Sequence, residues 1–203
     1  NDYIITDQYT PGYDNTQEGY AAFRASTVLQ SGALVINEIC ASSITTLKDE
    51  DGDYPDWMEI HNTTNQTIDL SNYALSDSTD KLVKWRFPQG STIAPNGYFV
   101  VFASKKDRAA AEGSWPHASF KLRSNGETVI LSDIQGRMID MVTYDLLSAD
   151  TSWGRDEEGD GSFKLFTSPT PGLPNTRAGM TAMDTSMCLA NASGLYITEV
   201  MTG

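Results

Sequence analysis

Apolar and polar residues alternate in short runs along this chain, and Gly, Pro, Asn, Asp and Ser cut the runs roughly every ten residues. The alternation predicts strands over Leu34–Cys40, Trp57–Asn62, Thr67–Leu70, Ala74–Ser76, Lys84–Phe87, Tyr98–Ala103, Thr128–Ser132 and Met138–Tyr144. Weaker runs lie at Ser152–Arg155 and Phe163–Phe166. Pro95-Asn96-Gly97, Asn125-Gly126 and Gln135-Gly136 carry the residues that tight turns between strands require. Helical periodicity is nearly absent. The best helix candidate is Ser104–Gly113, with Ser104 as cap and Gly113 as stop. Many short strands joined by turns predict an all-β sandwich or barrel.

One piece of sequence occurs twice. Thr10-Pro11-Gly12-Tyr13-Asp14-Asn15-Thr16 returns 160 residues later as Thr170-Pro171-Gly172-Leu173-Pro174-Asn175-Thr176. Leu34–Ile39 returns more loosely as Tyr196–Met201, and the segment after each Asn-Thr also repeats, from Gln17 and from Arg177. The chain therefore reads as a window on a tandem array. Residues 1–16 would end a preceding repeat, 17–33 form a connector, 34–176 a complete β-sandwich, 177–194 a second connector, and 195–203 the first strand of a following repeat. A start at Asn1 is expected of a fragment or a processed product. Leu195–Thr202 reads as a strand without its sheet, so the ends are expected to pair with each other or head-to-tail with another copy.

Charge narrows the class of partner. The net charge is −13, from 27 acidic and 14 basic residues, which repels nucleic acid and anionic lipid. No apolar run approaches a membrane span. With Cys40 and Cys188 alone, the chain is not a disulfide scaffold; a bridge between them would need an oxidising compartment. Asn62, Asn65 and Asn191 sit in Asn-x-Ser/Thr triplets, a pattern common by chance in loops of this composition.

Asp49-Glu50-Asp51-Gly52-Asp53-Tyr54-Pro55-Asp56 is the sharpest local chemistry. Alternate carboxylates around a Gly turn suit a hard cation, and Asp49, Asp51, Asp53 and Asp56 would be its ligands. Calcium fits better than magnesium because the protein supplies the oxygens, but the spacing is not that of an EF-hand. The competing reading is a solvated acidic turn, as for the second acidic turn, Asp156–Gly161. Trp57, Glu59 and His61 share one face of an alternating strand, where Glu59 and His61 could form an acid–base pair. No nucleophile turn accompanies them, so no catalytic residue is assigned. Trp115, in the loop Gly113–His117, is the aromatic best placed to stack on a sugar; Trp57 and Trp85 read as core.

From Leu34 to about Thr176 the chain resembles a bacterial lamin-tail domain. Val35-Ile36-Asn37-Glu38-Ile39 is similar to the family's opening strand, and Asp51–Asn62 to its acidic loop and following strand. Ile68–Asp77 matches its next motif, with Asn72-Tyr73 where Gly-Trp is commoner, and Phe87–Ala103 and Pro171-Gly172…Asn175 complete the order. The resemblance implies an immunoglobulin-like β-sandwich without catalytic residues, used as an accessory module of secreted or surface proteins. The expected function is an adhesion or spacer module of a bacterial surface or secreted protein, extracellular or on the cell surface. A calcium-dependent or carbohydrate-binding module is the alternative. Its expected partners are a protein or surface polymer and neighbouring repeats, not nucleic acid.

Overall fold

The computed structural model describes Asp14, Thr16 and residues 32–159 and 161–191, with backbone only for 187–191. The expected end of a preceding repeat, most of the first connector and the strand at 195–203 lie outside the described residues, as does the Cys188 side chain. The alternating runs form eleven strands among the described residues. They are β1 Leu34–Cys40, β2 Trp57–Asn62, β3 Ile68–Asp69, β4 Tyr73–Ser76, β5 Trp85–Arg86, β6 Thr92–Ile93, β7 Tyr98–Phe102, β8 Glu127–Asp133, β9 Met138–Tyr144, β10 Ser152–Arg155 and β11 Phe163–Phe166. A five-stranded sheet runs β11-β10-β1-β2-β7, and a four-stranded sheet runs β5-β4-β8-β9. The short pair β3-β6 stands apart. All strand pairs are antiparallel, giving an all-β, immunoglobulin-like sandwich.

Period two decides what each sheet buries. Leu34, Ile36, Ile39, Met58, Ile60 and Val101 of the larger sheet pack with Leu75, Val129, Leu131 and Val142 of the smaller. The opposite face of the larger sheet carries a second apolar cluster: Cys40, Trp57, Val100 and Phe102, covered by Leu47 and Trp115. Trp57 and Phe102 are fully buried there, each worth about 1.5–3 kcal/mol in transfer from water. Trp57 Nε1 donates to Thr46 Oγ1 at 3.1 Å, which ties the covering loop down.

A bulge lets β1 serve both faces. Ile36 pairs with Ile60, but Glu38 already pairs with Glu59, so Asn37 is the extra residue. Strict alternation would put Leu34, Ile36, Glu38 and Cys40 on one face. With the bulge, Leu34 and Ile36 face the core between the sheets, and Cys40 joins Trp57 on the outer face. Ile36 stays opposite Ile60 but lies beyond the β1–β10 ladder, which stops at Glu38. Its N–H donates to Asp140 Oδ2 of β9 at 2.8 Å, and its carbonyl accepts from Arg155 Nε of β10 at 2.9 Å. Arg155 closes the triangle on Asp140 at 2.8 Å, so the bulge bolts the two sheets together.

Two sequence expectations are corrected. Ser104–Gly113 is not a helix. Lys105 and Asp107 have left-handed φ of 68° and 49°, and Arg108 exchanges backbone hydrogen bonds with His117. Pairing across the edge of β7 overrides local helix propensity. The helix lies instead at Arg177–Asn191, α1, inside the expected connector. Thr176 caps it, its Oγ1 accepting from Gly179 N at 3.0 Å. Thr181 and Thr185 turn their hydroxyls onto the carbonyls four residues back, which satisfies these hydroxyls along the helix. No described helix is long and apolar enough to cross a membrane.

Trp57→Ala should cost about 3–5 kcal/mol in denaturant unfolding because the covering loops cannot follow the lost volume. Leu165→Ala, on an exposed site of the edge strand β11, should stay within about 0.5 kcal/mol. Equal effects would contradict a packed outer face.

Candidate functional site

Glu38 of β1 and Glu59 of β2 face each other across the ladder, and both are fully buried. Two carboxylates so placed must be hydrogen-bonded, protonated or both. The protein supplies the donors from a segment 132 residues away in sequence. Thr170 N lies 3.2 Å from both oxygens of Glu38, and Thr170 Oγ1 lies 3.2 Å from Oε2. Ser152 Oγ of β10 donates to Oε1. Glu59 Oε2 accepts from Gly172 N at 2.5 Å, and Oε1 accepts from Asn37 Nδ2 at 3.0 Å. A third carboxylate, Glu157 from the β10–β11 turn, accepts from Asn175 N, Asn37 Nδ2 and Tyr98 OH at 3.1, 3.2 and 2.7 Å. Asn175 Nδ2 completes the closure on Asn37 O at 3.3 Å. Asn37 Oδ1 has no protein hydrogen-bond partner.

The closing segment is the second copy of the repeated motif, Thr170-Pro171-Gly172-x-x-Asn175, and its residue types follow from this geometry. Thr gives a backbone and a hydroxyl donor to one carboxylate. Gly172 has φ 81°, so its N–H reaches the other where a side chain would be strained. Asn175 bridges to the bulge. Gly154, opposite Glu38, is equally constrained: a Cβ there would come within 2.7 Å of Asn175 Nδ2. The segment is a latch, and the three carboxylates are its clamp.

Burial raises Glu38 to about 7; Ser152 and Thr170 pull against the rise, and Glu157 adds to it. Glu59 is raised well above its ordinary range by burial and then by the charge of Glu38. His61 of β2 is lowered, chiefly by burial, and stacks on Tyr98 of β7 at 4.4 Å. Tyr98 is raised by burial and by its bond to Glu157. Glu59 thus gives its oxygens to Asn37 and Gly172, while the His61 ring packs on Tyr98.

The expected cation loop is a separate place. Asp49, Asp51 and Asp53 converge, with one ligand oxygen from each within 4.8 Å of the others. Lys106 Nζ is bonded to all three, at 2.6, 2.6 and 2.9 Å. Arg108 pairs with Asp51 at 2.5 Å and with Glu50 at 2.6 Å. Asp49 Oδ1 also accepts from the N–H groups of Asp51 and Asp53, which folds the turn around Gly52. Asp56 belongs elsewhere: it accepts from Ser43 N at 3.1 Å and is not in the converging group. The second acidic turn is also divided, with Asp156 paired to Lys164 and Glu157 turned into the clamp.

Sequence reasoning missed three things. Glu157 read as a turn residue, and only the strand pairing of β10 with β11 aims it at Asn37. Thr170–Asn175 was visible as a repeat without a role. The third is a chain of polar groups, Ser104 Oγ to His117 Nδ1 at 2.8 Å and His117 Nε2 to Glu50 at 3.1 Å. His117 is fully buried, and Ser104 Oγ also accepts from Lys106 N, so the chain ties three loops to the edge of β7. Glu50 drops to about 2: burial opposes the fall, but its own N–H, His117 and Ser114 outweigh it. Trp115 is half-buried, with its ring edge-on to Phe99 at 5.4 Å, so only part of it is open to a ligand. Asn62, one of the triplet asparagines, is fully buried, and its amide donates to the carbonyls of Gln66, Ile93 and Ala94. A polar groove of about 180 Å³ lies between Thr45, Asp150 and Met183–Asp184 of α1.

The family model described as Lamin Tail Domain matches residues 27–145, which hold β1 to β9 and the acidic loop. None of the curated proteins matches the chain.

The clamp predicts a pH dependence. Glu38 has a folded pKa above its unfolded one, so its contribution is complete below about 4.5 and is lost as pH rises through about 7. The loss is on the order of 3 kcal/mol before the coupled Glu59 is counted. Glu50 works the other way, its contribution present above about 4.5 and lost as pH falls toward about 2. Unfolding from pH 4.5 to 8 should therefore show a decline that Glu38→Gln flattens. An unchanged slope would contradict the clamp. A second prediction concerns Lys106. Millimolar calcium should leave the Tm of the natural chain unchanged and raise that of Lys106→Gln, whose three carboxylates lose their cation. A rise in the natural chain would show that calcium displaces Lys106.

Proposed function

The chain belongs to the lamin tail domain family, and from that premise we propose that it is a non-catalytic module, one unit of a tandem array that spaces or docks components of a bacterial surface or secreted protein. One observation supports the array above others. Thr176 N donates to Pro174 O at 2.7 Å in the latch, and Thr16 N donates to Asp14 O at 2.8 Å, the same bond 160 positions earlier. Asp14 and Thr16 thus share this one bond with Pro174 and Thr176. The groups best suited to chemistry are already engaged: Glu59 by Asn37 and Gly172, His117 by Ser104 and Glu50. This favours a binding or spacing role over turnover. A net charge of −13 favours a basic protein or neutral polymer as partner over nucleic acid. Neighbouring repeats are the partners nearest to hand.

The second reading, a calcium-dependent module, rests on the convergence of Asp49, Asp51 and Asp53 and requires calcium to displace Lys106.

Solution scattering tests the array. The chain ending at residue 194 should show less head-to-tail association at high concentration than the chain ending at 203. Identical mass and size would overturn a role for the C-terminal strand in contacts between units. Hydrolytic turnover that disappears in His117→Asn would overturn the non-catalytic reading.

A further inference from the structure

The latch and the clamp are separable parts, and the latch motif occurs twice in the sequence. Every named bond from the latch to the clamp uses a group that the motif itself supplies. They are the N–H and hydroxyl of Thr170, the N–H of Gly172, and the N–H and side-chain amide of Asn175. Leu173 and Pro174 contribute no side-chain hydrogen bond to it. Thr10-Pro11-Gly12-x-x-Asn15 keeps every contributing residue at the same spacing and replaces only Leu173 and Pro174, by Tyr13 and Asp14. The bond that Pro174 O accepts from Thr176 is reproduced by Asp14 O and Thr16.

We propose that the clamp of Glu38, Glu59, Glu157 and Asn37 O is a recognition site for a Thr-Pro-Gly-x-x-Asn segment, and that residues 10–15 of a second copy of this chain can take it in exchange for residues 170–175. The clamp reads three things. Paired carboxylates select a segment rich in N–H donors. The Gly172 position selects a residue free to adopt positive φ, and position 12 of the first motif copy is also a glycine. Asn37 O selects an Asn three residues after the Gly, and Glu157 takes that residue's backbone N–H. A segment presenting a carboxylate in place of Asn would set an acceptor against Asn37 O, where Asn175 Nδ2 donates, and be refused. The chain's own latch is tethered through β11, so its effective concentration keeps it in place in a dilute single chain. Exchange gains weight when many copies are held together, as in an array or on a surface. The inference rests on the repeat reading of residues 10–16, and the experiment separates the two.

The test is hydrogen exchange at the amides of Thr170 and Gly172 in the full chain, with added synthetic peptides. A peptide of residues 8–18 should displace the latch and accelerate exchange at both amides about tenfold, while β8 amides stay protected. The same peptide carrying Thr10→Ala and Asn15→Ala should have no effect. A peptide of residues 168–178 should act like the natural 8–18 peptide. If 168–178 accelerates exchange and 8–18 does not, the clamp takes peptides but the two motifs are not equivalent, which overturns the proposal and speaks against the repeat. If neither acts at millimolar concentration, the latch does not exchange and the proposal fails, while the array remains to be judged by scattering.

Discussion

Two carboxylates facing each other inside a sheet are the constraint on which the rest of this structure depends. Glu38 and Glu59 lie on the outer face of the larger sheet, where strand alternation would otherwise continue the apolar surface of Trp57 and Phe102. An isolated buried carboxylate is costly, and a facing pair is costlier. The chain answers with donors brought from Ser152, Thr170 and Gly172, against a burial that raises the proton affinity of both carboxylates. The closing segment is therefore part of the sandwich and not a tail that follows it. Its position in turn sets where α1 begins, since Thr176 both ends the latch turn and caps the helix.

The bulge at Asn37 is what allows this. It turns β1 over halfway along its length, so that one strand fills the core between the sheets and then presents Glu38 and Cys40 outward. The backbone of Ile36, beyond the end of the β1–β10 ladder, is held by Asp140 and Arg155, which lie on different sheets. Clamp and sheet-to-sheet bolt thus share one irregularity. The acidic loop shows the same economy: Lys106 and Arg108 gather Glu50 and the aspartates into a network that also orders the strand edge beside His117. In a chain of net charge −13, the carboxylates of both sites are thus engaged by donors or cations of the fold itself.

The sheets were legible in the sequence because strands make short apolar or alternating runs cut by turn residues. β1, β2, β9, β10 and β11 follow the predicted runs residue for residue, and β7 ends one residue early. The helix was not. Ser104–Gly113 has better local propensity than Arg177–Asn191, yet backbone pairing with His117 takes the first, and the Thr176 cap starts the second. The cation ligands were half legible. Asp49, Asp51 and Asp53 do converge, but Lys106, more than fifty positions away in the chain, was invisible to a reading of the loop. The latch was the reverse case, conspicuous as a repeat and silent about its purpose.

By itself the sequence determined the strands and their turns, which depend on neighbours a few residues apart, and displayed one motif twice without its role. The tertiary structure alone decided that Glu38 opposes Glu59, that Glu157 and Asn175 reach Asn37, and that Lys106 enters the aspartate loop. Those juxtapositions come from a one-residue bulge and from strand order, and both join residues that chain distance keeps apart.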